Sequence, residues 1–131
     1  MLGPRTVNDY AYTPAPTVIG ATHMISGEGK HRPPALSVVI PTYNRSSILR
    51  RTLNGLAEQQ GGASIEVIVV DNNSTDDTAV AVKEFHIRVP SLRYVFEPRR
   101  GAAAARNTGA ALSKGPIVAF LDDDLDVTPS W

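Results

Sequence analysis

From Leu36 onward, the sequence alternates between short apolar runs and stretches with helical periodicity. We predict four β-strands, over residues 36–40, 65–70, 92–96 and 117–121. Helices are predicted between them, from Ser46 to Gln60, from Ser74 or Thr75 to Phe85 or His86, and from Gly101 to Gly115–Pro116. Strands that alternate with helices in this way are typical of a parallel sheet with crossover connections. The pattern therefore predicts an α/β fold.

The start of the second predicted helix rests on capping signals. Ser74 and Thr75 are hydroxyl side chains that can accept a hydrogen bond from a helix N-terminus. Asp76 and Asp77 follow, and negative charge is favourable near the positive end of the helix dipole. We therefore expect Ser74 or Thr75 to cap this helix.

Residues 1–35 have a different texture from the rest of the chain. They contain five prolines and four glycines and show neither strand nor helix periodicity. We interpret them as a flexible or loosely docked leader, followed by one domain over residues 36–131.

Charge and cysteine content exclude several classes of function. Thirteen basic residues balance thirteen acidic residues, so net charge does not favour nucleic-acid binding. The chain has no cysteine, which excludes disulfides, thiolate metal sites and cysteine nucleophiles. No run approaches the length of about 20 apolar residues that a membrane span needs. We expect a cytoplasmic protein, with peripheral membrane association left open.

Polar residues follow the predicted strands at their carboxyl ends. These residues are Thr42, Tyr43 and Asn44 after the first strand, Asp71, Asn72 and Asn73 after the second, Glu97 after the third, and Asp122, Asp123 and Asp124 after the fourth. In an open parallel sheet, ligands bind at the carboxyl ends of the strands. We therefore expect these side chains to converge on one binding site.

The terminal aspartates indicate a cation. Three adjacent carboxylates repel one another and need a compensating cation or polar ligand. If the strand continued, Asp122 and Asp124 would share one face while Asp123 pointed the other way. Such a pair of hard oxygen ligands suits Mg²⁺, Mn²⁺ or Ca²⁺, which can also take diphosphate oxygens. The bland alternative is a solvated turn.

Several common ligand-binding motifs are absent from the sequence. No G-x-G-x-x-G follows the first strand, and no P-loop motif occurs anywhere. The terminal aspartates match the start of a calcium loop, but Val127 stands where that loop requires glycine. A receiver-type phosphoacceptor domain needs an acidic pair after its first strand, where this chain has Pro41, Thr42 and Tyr43.

Four segments together resemble family 2 glycosyltransferases of the GT-A fold. They are SVVIPTYNR over residues 37–45, VVDNNSTDDT over 69–78, Gly101 with ARNTG over 105–109, and FLDDD over 120–124. The resemblance covers about residues 36–131. It implies a Rossmann-like, mostly parallel sheet that forms the nucleotide-sugar-binding half of such an enzyme.

The resemblance also implies roles on the nucleoside side of the site. Pro41, Thr42 and Tyr43 would border the nucleoside, with Tyr43 able to pack on the base, and Asn44 is placed with them. Asp71 and Asn72 would face the edge of the base. Family members often carry a second aspartate where this chain has Asn72, and an amide can donate as well as accept. This difference leaves the identity of the base open.

On the diphosphate side, Arg106 would approach the diphosphate or ribose. Asp122 and Asp123 would lie near the ribose, and Asp124 would ligate Mn²⁺ or Mg²⁺, with Asp122 as a second metal ligand. The small residues that follow Gly101 would let the backbone approach the donor.

The implied reaction is inverting transfer of a sugar from a nucleotide-diphosphate donor to an unidentified acceptor. In this family the general base lies in the acceptor-binding half, which we expect beyond Trp131, so we interpret the chain as a fragment. Two alternatives stay open. One is a non-catalytic nucleotide- or metal-binding fragment, and the other is a sugar-phosphate nucleotidyltransferase.

Overall fold

The computed structural model describes residues 32–59 and 64–131. Within them the elements run in the order β1 (Leu36–Thr42), α1 (Ser46–Ala57), β2 (Ile65–Asp71), α2 (Thr78–Glu84), β3 (Leu92–Phe96), α3 (Ala102–Leu112) and β4 (Val118–Phe120). The four strands form one parallel sheet in the order β3-β2-β1-β4. The α/β prediction is confirmed.

Apolar side chains of the two central strands alternate between two cores, as the pleat of a strand requires. Val38 and Ile40 of β1 join the core on the side of α1 and α2. Val39 joins the core on the opposite side, where Ala105 of α3 packs. A Cβ atom at Gly109 would collide with the Val39 side chain, so α3 lies unusually close to the sheet. Helices therefore cover both faces.

Pro41 lies within β1, a central strand, although proline cannot donate a ladder hydrogen bond. On the β4 side of β1, Ser37 N–H donates to the carbonyl of Ile117, and the Val39 carbonyl accepts from Leu121 N–H. Alternate residues of a strand bond on the same side, so the missing N–H of Pro41 faces this side, past the end of β4. The absent donor therefore faces the gap that opens between β1 and β4.

A buried polar cluster, here called the amino-edge cluster, lies where the strands begin. Glu66 accepts hydrogen bonds from the Ser37 hydroxyl at 2.5 Å, from Lys114 N–H at 2.5 Å and from Arg93 Nη1 at 3.2 Å. Burial opposes its ionisation, but these donors together hold the pKa of Glu66 below its ordinary 4.5. The cluster ties β1, β2, β3 and the segment after α3 together.

The start of α2 differs from the prediction. The helix begins at Thr78, and neither Ser74 nor Thr75 caps it. Instead, Asp76 Oδ1 accepts from Thr78 N–H at 3.1 Å, and Asp76 Oδ2 accepts from Ser46 N–H, at the start of α1, at 3.1 Å. One carboxylate therefore serves the first residues of two helices. The helix begins three residues after Thr75, and the hydroxyls of Ser74 and Thr75 bond to Asn44 across the loop instead.

Smaller differences concern element ends. The first helix ends at Ala57 rather than Gln60, and β1 extends two residues past Ile40. The predicted helix stop at Gly61–Gly62 and most of the predicted leader lie outside the described residues. In residues 32–59 and 64–131, no helix is long and apolar enough to span a membrane.

Candidate functional site

A cleft of about 380 Å³ opens at the carboxyl ends of β1 and β4. Its lining comes from Pro41, Thr42, Tyr43 and Arg45 at the end of β1, Asn72 after β2, Ala102, Ala105 and Arg106 of α3, and Asp122, Asp123 and Asp124 after β4. From β1 the chain proceeds outward through β2 and β3 on one side, while β4 lies on the other. The cleft thus occupies the point where the strand order reverses, which is where open α/β sheets bind ligands.

Asp123 turns inward and holds the floor of the cleft. It is only 6% exposed, and its Oδ2 accepts from the Thr42 hydroxyl at 2.8 Å. Its Oδ1 accepts from Arg45 Nη1 at 3.3 Å, and its backbone carbonyl lies 2.8 Å from the buried Thr52 hydroxyl of α1. Asp123 therefore fixes the turn after β4 against β1 and α1.

Asp122 and Asp124 point outward, with side chains 68% and 54% exposed. β4 ends at Phe120, yet the alternation predicted for a continuing strand persists through these aspartates. Asp122 lies 3.6 Å from Arg106, and Asp124 lies 3.8 Å from Arg45. Exposed pairs at such distances are weak, so a ligand can compete for either partner.

Asp71 is buried at the end of β2 and does not line the cleft. Its Oδ1 accepts from Ser74 N–H at 2.9 Å and its Oδ2 from the Tyr94 hydroxyl at 2.6 Å. Burial and the carboxylate of Asp71 raise the pKa of Tyr94 above its ordinary value, so this tyrosine remains a donor. Asp71 thus orders the β2 end from within.

Asn72 lines the cleft but is only 8% exposed. Its amide nitrogen donates to the Glu97 carbonyl at 3.1 Å and to the Arg99 carbonyl at 2.6 Å. Its amide oxygen accepts from Gly101 N–H at 2.9 Å. Residues 97–101, here called the α3 entry loop, are therefore bound to the end of β2.

Glu97 stabilises the α3 entry loop from inside. Its carboxylate accepts from Arg99 Nε at 2.9 Å, from Arg99 Nη2 at 2.8 Å, from Arg99 N–H at 2.8 Å and from the Thr108 hydroxyl. The Arg99 side chain, followed by Thr108 and the Arg99 N–H, lowers the pKa of Glu97 to about 2. The charged form is therefore strongly favoured in the folded protein.

The α3 entry loop places Arg100 over the ring of Tyr43, with the guanidinium carbon 5.8 Å from the ring centroid. Tyr43 is 43% exposed and lies on the wall of the cleft. A cation above an aromatic ring at this distance is attracted to the face of the ring. Tyr43 thus forms one rim of the cleft, and Arg100 packs on its ring from outside the lining.

Asn44 supports this rim from outside the cleft lining. It has φ 48°, in the left-handed region that asparagine tolerates. Its side-chain oxygen accepts from Thr75 N–H at 2.7 Å and from Asp76 N–H at 3.3 Å. Asn44 therefore joins the loop after β1 to the loop after β2.

The donor set at the cleft suits a hard divalent cation held by few protein ligands. Across residues 32–59 and 64–131, no three carboxylate or imidazole groups converge on one point. Asp122 and Asp124 nevertheless present exposed carboxylates, and both residues line the cleft. Mg²⁺ is commonly bound through one or two carboxylates together with substrate phosphates. The residues present therefore fit Mg²⁺ or Mn²⁺ shared with a diphosphate.

Sequence reasoning missed four residues that shape the site: Arg45, Tyr94, Arg99 and Arg100. Arg45 follows the motif after β1, and its pairing with the terminal aspartates spans 78 residues. The basic run Arg99–Arg100 was visible in the sequence, but nothing in it told that Arg99 folds back on Glu97 while Arg100 reaches Tyr43.

The sequence of the chain is similar to those of known proteins. The sequence model of glycosyl transferase family 2 matches residues 37–131. A validoxylamine A glucosyltransferase of Streptomyces hygroscopicus subsp. jinggangensis (strain 5008) is 45% identical over 101 residues, which are 75% of this chain and 24% of that protein.

Solved structures agree with the sequence comparison. TarS 1–349 of S. aureus, solved in complex with UDP, superposes with a TM-score of 0.67 at 31% identity, covering 72% of this chain and 29% of that one. The mannosyltransferase PcManGT of Pyrobaculum calidifontis, in complex with GDP-Man and Mn²⁺, gives a TM-score of 0.63 at 37% identity, covering 72% and 28%. The chain thus spans only about a quarter to a third of these proteins, and the two solved structures are GT-A glycosyltransferases.

Proposed function

This chain belongs to glycosyltransferase family 2, and we propose that its described region binds the nucleotide-diphosphate sugar donor of an inverting sugar transfer. The observation that carries the proposal is the convergence of the carboxyl ends of β1, β2 and β4 with the amino end of α3 on one cleft. That cleft lies where the strand order of the sheet reverses. Its volume of about 380 Å³ lies within the range of small-molecule sites.

We assign the nucleoside to the side of the cleft formed by Pro41, Thr42 and Tyr43. Tyr43 offers an exposed ring on which a base can stack, and such stacking is worth about 1–3 kcal/mol per base. Asn72 borders the edge of the base in this arrangement, and the buried Asp71 orders the end of β2 behind it. Asn44 keeps the loop after β1 in place through its bonds to the neighbouring loop.

We assign the diphosphate and ribose to the opposite side. Arg106 lines the cleft, and its guanidinium lies 3.6 Å from the exposed carboxylate of Asp122. A contact of this length is weak, so Arg106 can turn toward a phosphate oxygen. The amino end of α3 borders the same space, and backbone N–H groups at a helix start favour anions. Asp122 and Asp123 approach the ribose, with Asp123 holding the turn and Asp122 exposed.

A divalent cation would complete the site. Asp124, with Asp122 as the second ligand, would hold Mn²⁺ or Mg²⁺ together with the donor diphosphate. When bound, such a cation neutralises charge on the departing nucleoside diphosphate. PcManGT was solved in complex with both GDP-Man and Mn²⁺, which supports this assignment.

We assign activation of the acceptor to residues other than the described ones. Inverting transfer needs a general base that takes the proton of the acceptor hydroxyl. The relatives are three to four times longer than the matched segment, and we place acceptor binding and the general base in the portion of them that this chain does not match.

Titration calorimetry of the 131-residue chain with UDP-sugars and GDP-sugars, with and without Mn²⁺, tests the proposal. We expect Mn²⁺-dependent binding of one of them. Asp124→Ala should weaken it by at least about tenfold, because even groups that merely support a metal ligand change affinity by about 10–100-fold. The matched control is Asp126→Ala, which removes an exposed aspartate that pairs with Arg51 away from the cleft.

The proposal fails if the folded chain binds neither class of donor, or if the two alanine variants bind equally. Binding without sugar transfer or donor hydrolysis would favour the alternative of a non-catalytic nucleotide-binding region.

A further inference from the structure

We propose that Asn72 is a positioning residue whose amide fixes the α3 entry loop, so that Arg100 stays over Tyr43 at the rim of the cleft. This inference rests on the proposed function, because the rim matters for function only if the cleft receives a nucleotide. It differs from a role in contacting the base, since the side chain of Asn72 is committed to the protein itself.

All the strong hydrogen-bonding positions of the Asn72 amide are directed at one loop. Its nitrogen donates to the carbonyls of Glu97 and Arg99, at 3.1 and 2.6 Å, and its oxygen accepts from Gly101 N–H at 2.9 Å. With two donors and one acceptor engaged, and only 8% of the residue exposed, little of the amide is left for a ligand.

The pattern of donors and acceptors requires an amide. An aspartate could still accept from Gly101 N–H, but it would place negative charge against the carbonyl oxygens of Glu97 and Arg99. Buried acceptors that face each other without a proton between them are destabilising. A carboxylate at position 72 should therefore release the loop even though it has nearly the same shape.

Movement of this loop reaches the cleft directly. Gly101 precedes the first residue of α3 and has φ 118°, a conformation that only glycine adopts readily. Arg100, one residue earlier, lies over Tyr43. Because Asn72 bonds to the residues on both sides of Arg100, the loop cannot shift without moving this arginine.

The first experiment needs no nucleotide. Amide exchange of Gly101 and the ring resonances of Tyr43 are measured by NMR in the unsubstituted chain and in Asn72→Asp and Asn72→Ala. We expect Gly101 to exchange about five- to tenfold faster in Asn72→Ala, which removes its acceptor, as loss of a hydrogen bond of ordinary strength implies. Asn72→Asp keeps this acceptor, and we expect faster exchange there because the loop is released at the carbonyls of Glu97 and Arg99. The NMR resonances of the Tyr43 ring should shift in the same direction as those measured in an Arg100→Ala variant, which lacks the cation over the ring. Asn73→Asp is the matched control, because it adds the same charge one residue away, outside the cleft lining.

The second experiment measures UDP and GDP affinity in the presence of Mn²⁺. Asn72→Asp should weaken binding about five- to tenfold, while Asn73→Asp leaves it unchanged. In the Arg100→Ala background the same substitution should cost much less, since residues that act through one another are not additive. A side chain that contacts the base would behave differently, because Asn72→Asp would then retain or tighten the binding of one nucleotide.

Unchanged Gly101 exchange in both variants, tighter nucleotide binding by Asn72→Asp, or additive losses with Arg100→Ala would each overturn the inference. If Asn72→Asp does not fold, Asn72→Ala carries the exchange test and the additivity test with Arg100→Ala. If the unsubstituted chain binds neither nucleotide, the proposed function fails, and the exchange and ring measurements alone then decide whether Asn72 positions the loop.

Discussion

Both edges of the sheet bury a hydrogen-bonded carboxylate, but the carboxyl edge also carries exposed charged side chains that line a cleft. At the amino edge, Glu66 is buried and bonded to Ser37, Arg93 and the Lys114 backbone. At the carboxyl edge, Glu97 is equally buried and bonded. The carboxyl edge also places exposed groups around a cleft.

This difference separates stability from function within one sheet. Across the described residues, every buried side-chain nitrogen or oxygen has a hydrogen-bond partner, so buried polar groups at both edges are already satisfied. Exposed groups such as Asp124, Arg106 and Tyr43 are held weakly and can change partners. We therefore expect the buried polar residues to determine folding and the exposed ones to determine ligand affinity.

The largest effect should come from the amino edge. Glu66→Gln leaves Arg93 without its carboxylate and turns an amide toward existing donors, so we expect a loss of about 3 kcal/mol in the free energy of unfolding. Urea denaturation measures this loss. Nucleotide affinity, measured by calorimetry well below the unfolding transition, should stay unchanged; a weakened affinity would break the proposed separation of the two edges.

Asp123→Ala should lie between the two classes, because Asp123 is buried yet lines the cleft. Loss of its bonds to Thr42 and Arg45 should lower the free energy of unfolding by about 2 kcal/mol. Donor affinity should fall as well, since the turn that carries Asp122 and Asp124 loses its anchor. Denaturation and calorimetry on the same sample test the pair, and a loss of affinity at full stability would assign Asp123 to direct ligand contact.

Tyr43→Ala should reduce nucleotide affinity with little effect on stability, because Tyr43 is an exposed residue of the cleft lining. Nucleotide affinity should drop about tenfold, equivalent to about 1.4 kcal/mol, because a base loses its stacking surface. The free energy of unfolding should change by no more than about 0.5 kcal/mol, as is usual for surface substitutions. A change confined to stability would place Tyr43 among the structural residues.

The smallest effect should come from protonating Glu97, the buried carboxylate of the carboxyl edge, at low pH. The pKa of Glu97 is about 2 in the folded protein and ordinarily 4.5, so its stabilisation is complete above pH 4.5 and is lost as the pH falls toward 2. By pH 4 the loss should be about 1 kcal/mol. Glu97→Gln should flatten this part of the stability profile measured by urea denaturation; an identical slope in the variant would exclude Glu97 as the source.

Sequence patterns predicted the layers of the fold and the edge that carries the site. Apolar runs specify strands, and the carboxyl ends of parallel strands meet at one edge, so β1, β2 and β4 followed from local signals. Asp122 and Asp124 also alternate with Asp123 as strand geometry predicts. Their roles toward a nucleotide and a cation stay predictions.

The internal partners of the site residues were not predictable. The sequence does not distinguish a polar residue that faces a ligand from one that bonds within the protein. The side chains of Asp71, Asn72 and Asp123 all bond to backbone or side chains that are distant in sequence. Such pairings depend on which loops the tertiary fold brings together. For the same reason, the sequence predicts Ser74 or Thr75 as a helix cap, whereas in the structure the hydroxyls of both residues bond to Asn44.

The single carboxylate of Asp76 that serves both helix starts has a consequence for how the chain folds. Ser46 and Asp76 are 30 residues apart, so the first turn of α1 is completed only when the loops after β1 and β2 have come together. Contacts between distant residues form late because a long loop must close first. An excised peptide of residues 44–59 would lack this carboxylate and should be less helical than the same segment in the folded chain. The amino end of α1 therefore obtains its hydrogen-bond acceptor from the loop after β2 and not from a residue of its own segment.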